Sequence, residues 1–402
     1  MEKSLDVKIA KIRANPASRE FILADAKDPD MAYGMAAPGK SPEHYAHEGK
    51  FRSLPEFREC IRQVVHQGLV DIMLMSAHTS DVLTIGERLF DNTHVTPAGR
   101  ANDTTDIHFA RASKYGSQPS RPFRTAFVDH LQCGHLDCEP SERRLGVDLV
   151  LYSITFSNNA ELDRETAEAY RNFREEAERK QIRHFLEVFD PNVSGAVEPE
   201  KIGPFINDMI SRTLAGVPDI ARPLFLKMVY HGPKPMEELA GYDPSIVIGI
   251  LGGGSGTTYD AFKLIAEAQK YGAKVALFGR KINNAEHQLA FIECLRRIVD
   301  GQVSAEEAVR VYHGALQGLG IKPYRTLDDD MALTNPVMSY ASSSVSVPNV
   351  LGRAPSPKAA SVSTSTNGDG RAFPRKTDGA PDFAKMTPGQ RANYHKQRLA
   401  RL

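Results

Sequence analysis

The chain has 402 residues, no net formal charge and 41% apolar residues. That is enough to bury a sizeable core, and the charge balance points away from nucleic acid or an anionic membrane as main partner. Four scattered cysteines (Cys60, Cys133, Cys138, Cys294) make no disulfide framework, the start is polar, and no stretch approaches a membrane-spanning length, so a soluble cytoplasmic protein is expected.

Taken in order, 1–19 reads as a charged helical lead-in. The first strand is 21–26, ended by Lys27-Asp28-Pro29-Asp30. A helix follows over 54–68, with Phe57, Ile61, Val64 and Val65 at helical spacing and Gly68 as its stop. The second strand is 69–75, then a helix over 79–90, then a weak third strand at 95–101. The proline-bearing segment 102–147 breaks the alternation and is expected to be an insertion. The fourth strand is 149–156, followed by a helix at 162–180 with Thr166, Tyr170, Phe173 and Ala177 on one face. The fifth strand is 184–189, with a helix at 202–214, and the sixth is 224–230, with a short helix at 235–240. The seventh, 246–251, ends in Gly252-Gly253-Gly254-Ser255-Gly256, and a helix covers 259–271. The eighth is 275–278, closed by Gly279-Arg280, and 284–319 is helical.

Eight near-continuous apolar strands alternating with helical or loop segments over about 260 residues fit a (β/α)8 barrel, because parallel strands are buried on both faces. A doubly wound sheet is the competing arrangement, since strand order is not written in the sequence. From 335 to 380 the chain lacks an apolar period and is expected to be a disordered linker. Over 381–402, Thr387-Pro388 can start a short helix with Ala392, His395, Leu399 and Leu402 on one face. Such an end is either a docking peptide or a solvated tail.

Lys227 interrupts the apolar sixth strand. Desolvation favours the neutral form of a lysine and frees its amine to attack a carbonyl. The alternative is a lysine that is ion-paired or reaches outward. Glycines after the seventh and eighth strands fall where barrels commonly hold phosphate, and Arg280 adds a charged donor. Strand order here is lysine, then glycines, then Gly-Arg.

Over 223–282 this arrangement resembles the class I, Schiff-base aldolases of barrel fold, in particular the archaeal-type fructose-bisphosphate, deoxyribose-phosphate and tagatose-bisphosphate aldolase group. The resemblance does not extend into 102–147 or beyond 330. It implies a Schiff base on Lys227 with a phosphorylated keto or aldehyde substrate, carbon–carbon bond cleavage or formation, and no cofactor. It also implies phosphate binding by Gly252, Gly253, Gly254, Ser255, Gly279 and Arg280. Asp25 is the first candidate for moving protons, Glu187 the second and Tyr152 the third. Asp25 could instead pair with Lys27, Glu187 could be the ion-pair partner of Lys227, and Tyr152 could be core. A phosphate-binding isomerase, a metal-assisted lyase and an inactive barrel acting as a tethered scaffold remain alternatives. Members of the group often form homo-oligomers. Terminal helices on linkers resemble those that load enzymes into bacterial protein-shelled compartments, which makes 381–402 a candidate for binding a shell or partner protein.

One further cluster, His130, Cys133, His135 and Cys138, could ligate zinc, although its spacing matches no established module. Otherwise it lines a loop near the barrel mouth, from which His130 and Gln132 could reach substrate. Polar runs at 102–106 and 153–159 end the third and fourth strands.

Overall fold

The computed structural model describes residues 1–39, 51–107, 112–254 and 256–334, together with 373–377, 381–383, 385–387, Gln390 and Tyr394. Eight strands form a closed parallel barrel: β1 (Ile22–Lys27), β2 (Ile72–Met75), β3 (Thr96–Arg100), β4 (Leu149–Thr155), β5 (Arg183–Phe189), β6 (Leu226–Met228), β7 (Gly249–Leu251) and β8 (Val275–Phe278). Each strand neighbours the next in sequence, and β8 closes on β1 through the Ile22–Val275 to Asp25–Phe278 register. This settles the competition with a doubly wound sheet.

The lead-in is α1 (Ser4–Ala14), whose Leu5, Ile9 and Ile12 join the barrel interior with Ala24, Leu74, Leu151 and Phe185. They plug the end where the strands begin, and burying each contributes about 1.5–3 kcal/mol. Helix α2 (Leu54–Gln67) begins with a Ser53–Glu56 capping box and a proline in its first turn. It ends at Gly68 with φ +69°. The other outer helices are α3 (Ala160–Arg179), α4 (Ile202–Ala215), α5 (Pro233–Tyr242), α6 (Thr258–Lys270), α7 (Gln288–Val299) and α8 (Ala305–Gly318).

The helical stretch expected over 284–319 is two helices, because Gly301 takes φ +70° and Ser304 opens α8 with a new capping box to Glu307. The segment after β3, expected to be an insertion, holds a small antiparallel ribbon, Asp103–Thr104 with Pro122–Phe123, and a short helix, Val128–Cys133. After β2, a short helix Ala77–Ser80 runs into a π-helical turn, Asp81–Gly86. No described helix is long and apolar enough to cross a membrane.

Most of the linker and terminal helix expected over 335–402 lies outside the described residues. Among those described there, Thr387 N–H donates to Gln390 Oε1 and Gln390 N–H to Thr387 Oγ1. Phe373 and Phe383 set their rings edge-on to Tyr394.

Candidate active site

Side chains alternate along each strand, and the register decides which face each residue shares. The interior cluster contains Ala24, Ala26, Leu151, Phe185 and Phe225. Two residues further along β4, β5 and β6, the inward positions are Ser153, Glu187 and Lys227, which lie side by side in the ladder.

Lys227 is buried, and its Nζ lies 2.5 Å from Glu187 Oε1. Ser153 Oγ donates to Glu187 Oε2 at 2.7 Å and accepts from Arg100 Nη2 at 3.2 Å. Arg100 is also inward and buried. Its Nη1 reaches Asp28 at 2.6 Å, its Nε lies 2.9 Å from Asp103, and Glu187 is 3.9 Å from Nη2. Two cations and three carboxylates therefore share one layer, and burial makes breaking any pair costly. The Asn102 amide grips the Ser153 backbone from both sides, donating to its carbonyl at 2.8 Å and accepting its N–H at 2.6 Å.

On the other flank of Lys227, continuing the Met228–Ile250 pairing, stands Gly249. A Cβ there would meet the Leu226 carbonyl oxygen at 2.4 Å and Val275 Cβ at 2.9 Å, so the neighbouring strands leave room for glycine alone. One layer higher, Phe189, Val229 and Leu251 form a buried apolar cluster with Ile107.

Above β7, Gly252 packs so closely on the Phe278 ring that a Cβ would lie 2.2 Å from it. Gly253 takes φ +59°, open to glycine at no steric cost. Gly254 lies against the Arg280 side chain, where a Cβ would be 2.7 Å from Nε, and a Cβ on Gly279 would meet the Ala26 carbonyl oxygen at 2.7 Å. Arg280 itself stacks over Tyr33, with 5.6 Å from its guanidinium carbon to the ring centre. The two glycine turns and Arg280 thus meet at one point of the rim. Ser255 lies outside the described residues. Lys281 Nζ braces the turn by donating to the carbonyls of Gly256 (2.7 Å) and Thr257 (2.8 Å), and its burial lowers its pKa to about 8.

Asp25 and Tyr152 are not brought to Lys227. Both occupy outward positions, one residue out of phase with the interior set. Asp25 pairs with Lys27 at 2.9 Å, and Lys27 donates to Asn283 Oδ1 at 2.5 Å; burial raises the Asp25 carboxyl above its ordinary range, with Lys27 opposing. This buried group ties β1 to the short helix Arg280–Asn283. Tyr152 stacks on Phe173 with ring centres 4.4 Å apart, and burial raises its hydroxyl's pKa.

The cysteine loop is also elsewhere. Gly146 and Val147, which lead into β4, bond to Gln132 and Leu131, and Gln132 Nε2 donates to the Lys180 carbonyl just before β5. The loop therefore lies at the strand-starting end of the barrel, away from the mouth, and His130 and Gln132 are far from Lys227.

Sequence reasoning passes over Arg100, a charged residue within a strand to which the rule that singles out Lys227 applies equally, and considers Lys27 only as a partner for Asp25, the pairing found. It also misses His231, whose Nε2 is 2.9 Å from Asp190 just beyond β6 and β5. Asp106, noted only within a polar run, is buried, held by Ser120 (2.6 Å) and Thr155 (3.1 Å), and its carboxyl is raised by burial.

No family model and no curated protein matches the chain. Among solved structures, an archaeal fructose 1,6-bisphosphate aldolase is 16% identical with a TM-score of 0.50, covering 74% of this chain and 100% of its own. A Schiff-base-forming fructose-1,6-bisphosphate aldolase has the same identity, coverage and TM-score. A second archaeal structure, whose catalytic lysine carries a carbinolamine intermediate, is 17% identical over 74% of this chain and 99% of its own, also at 0.50. At this identity the likeness establishes the barrel fold that these aldolases share.

Proposed function

We propose that this protein is a carbon–carbon lyase of the class I aldolase kind, acting on a small phosphorylated ketone or aldehyde through an imine on Lys227. One observation carries the reading: a buried lysine faces inward on the sixth strand, 2.5 Å from a glutamate. The likeness in fold to Schiff-base aldolases supports it.

In this mechanism Glu187 accepts the ammonium proton, and the Nζ lone pair attacks the substrate carbonyl carbon. Glu187 returns a proton to the carbinolamine oxygen, which leaves as water and yields the iminium ion. Glu187, again a carboxylate, takes the proton of the hydroxyl on the carbon β to the iminium carbon. The bond between the α and β carbons breaks, its electron pair passes to the iminium to form an enamine, and an aldehyde departs. Glu187 returns the proton to the enamine carbon before hydrolysis frees the product. Arg100 and Ser153 hold Glu187 in place. The substrate phosphate sits on the turns at 252–254 and 279–280 with Arg280 as cationic donor.

Borohydride reduction in the presence of a panel of three- to six-carbon keto and aldo phosphates tests the reading. Peptide mapping is expected to find the reduced adduct on Lys227, absent in Lys227→Met. A panel that leaves Lys227 unmodified throughout overturns it.

A further inference from the structure

The loop 133–146 is closed on itself at the end of the barrel opposite Lys227. Gly146 N–H donates to the Gln132 carbonyl at 2.7 Å and Val147 N–H to the Leu131 carbonyl at 2.9 Å. A Cβ on Gly146 would fall 2.1 Å from the Leu131 carbonyl oxygen, so this closure needs glycine. Within 133–145 the only buried side chains are Cys133 and Cys138, while Leu136 and Leu145 are exposed. A loop of this kind gains little from apolar burial, and its core is two sulfur atoms.

Gly134 (φ +90°) and Asp137 (φ +56°) turn the chain back between the cysteines. The two thiols and the Glu142 carboxylate each present a ligand atom within 4.8 Å of the others. Glu139 N–H holds Glu142 Oε2 at 3.0 Å, which leaves Oε1 facing His135 Nε2 at 3.4 Å. His135 Nδ1 lies 2.8 Å from the Leu136 carbonyl. Only a protonated Nδ1 can donate there, so the ring binds a metal through Nε2, which must first give up the proton that its contact with the Glu142 carboxylate uses.

We propose that Cys133, Cys138, Glu142 and His135 bind one structural zinc ion that cross-links this loop. Two thiolates, an imidazole and a carboxylate form a tetrahedral donor set suited to Zn²⁺. On binding, the two thiols and His135 Nε2 release their protons to solvent, the ligand atoms draw together to about 3.8 Å apart, and His135 turns its Nε2 onto the metal. The placement away from the barrel mouth fits a closed, non-catalytic site.

Native mass spectrometry of the full reduced chain titrated with ZnCl₂ tests this independently of any lyase activity. One zinc per chain is expected, lost in both Cys133→Ser and Cys138→Ser. His135→Gln and Glu142→Gln should each weaken binding by about tenfold or more. Co²⁺ should give thiolate charge-transfer bands and tetrahedral ligand-field absorption in the unmutated chain, a readout that needs no variant to fold. The proposal is overturned if the reduced chain takes up no zinc. Zinc retained by the cysteine variants, or a Cys133–Cys138 disulfide in the chain purified with its metals, overturns it equally.

Discussion

Glu187 and Lys227 are nearly sealed from solvent, at 1% and 4% side-chain exposure, so the stability of each depends on the other. Glu187→Gln keeps the volume but leaves a buried ammonium without its anion, with Arg100 close by. The expected loss is about 3–5 kcal/mol in urea unfolding. Adding Lys227→Met to the same chain should restore most of it, and strictly additive losses would show that the pair is not coupled. At this scale Lys227 and Glu187 are legible in the sequence because a charge within an apolar run stands out. The phase of the strand is not legible. Ile22–Lys27 is buried at every position, so nothing in its letters says that Ala24 and Ala26 face in while Asp25 faces out. The same lost alternation hides the outward placement of Tyr152, and only the closed register recovers it.

Among the elements, the strands and their order along the chain are legible because most are near-continuous apolar runs between turn residues, β3 being the weakest. What the sequence leaves out is close approach between neighbours, and Gly249 shows why this matters. It reads as an ordinary strand glycine, yet its backbone lies so near β6 and β8 that a Cβ would meet Leu226 O at 2.4 Å and Val275 Cβ at 2.9 Å. Gly249→Ala should therefore cost about 1–3 kcal/mol through overpacking. Gly241, exposed near the end of α5 with nothing within 4 Å of its added Cβ, is the control. Gly241→Ala should stabilise by up to about 1 kcal/mol, since alanine favours helix. Denaturation midpoints that move in the same direction for both variants would contradict the crowding around Gly249. Within the segment after β3, the helix Val128–Cys133 escapes sequence reading because six residues are too few to show a period.

At the scale of the whole molecule, the helical layer is bound to the barrel by apolar packing into which one titratable ring is set. His184 faces outward from β5, edge-on to Tyr170 and Phe173, and its Nε2 accepts the Tyr170 hydroxyl at 2.9 Å. Burial, helped by the nearby Arg174 guanidinium, lowers its pKa from 6.5 to about 3. The folded state thus holds the ring neutral where the unfolded chain protonates it. As pH falls below 6.5 the unfolded state binds the extra proton, so stability declines with decreasing pH until about pH 3, where the folded ring protonates too. The slope approaches 1.36 kcal/mol per pH unit, which makes the contribution about 2 kcal/mol between pH 7 and pH 5. Urea unfolding at pH 7, 6 and 5 should show this decline in the unmutated chain. Replacing the ring by a neutral partner in His184→Gln should lower stability at pH 7 while flattening its dependence on pH by about that amount. Parallel pH profiles for the two proteins would mean that His184 is not held neutral, and that the sheet-to-helix layer admits more water than its packing implies.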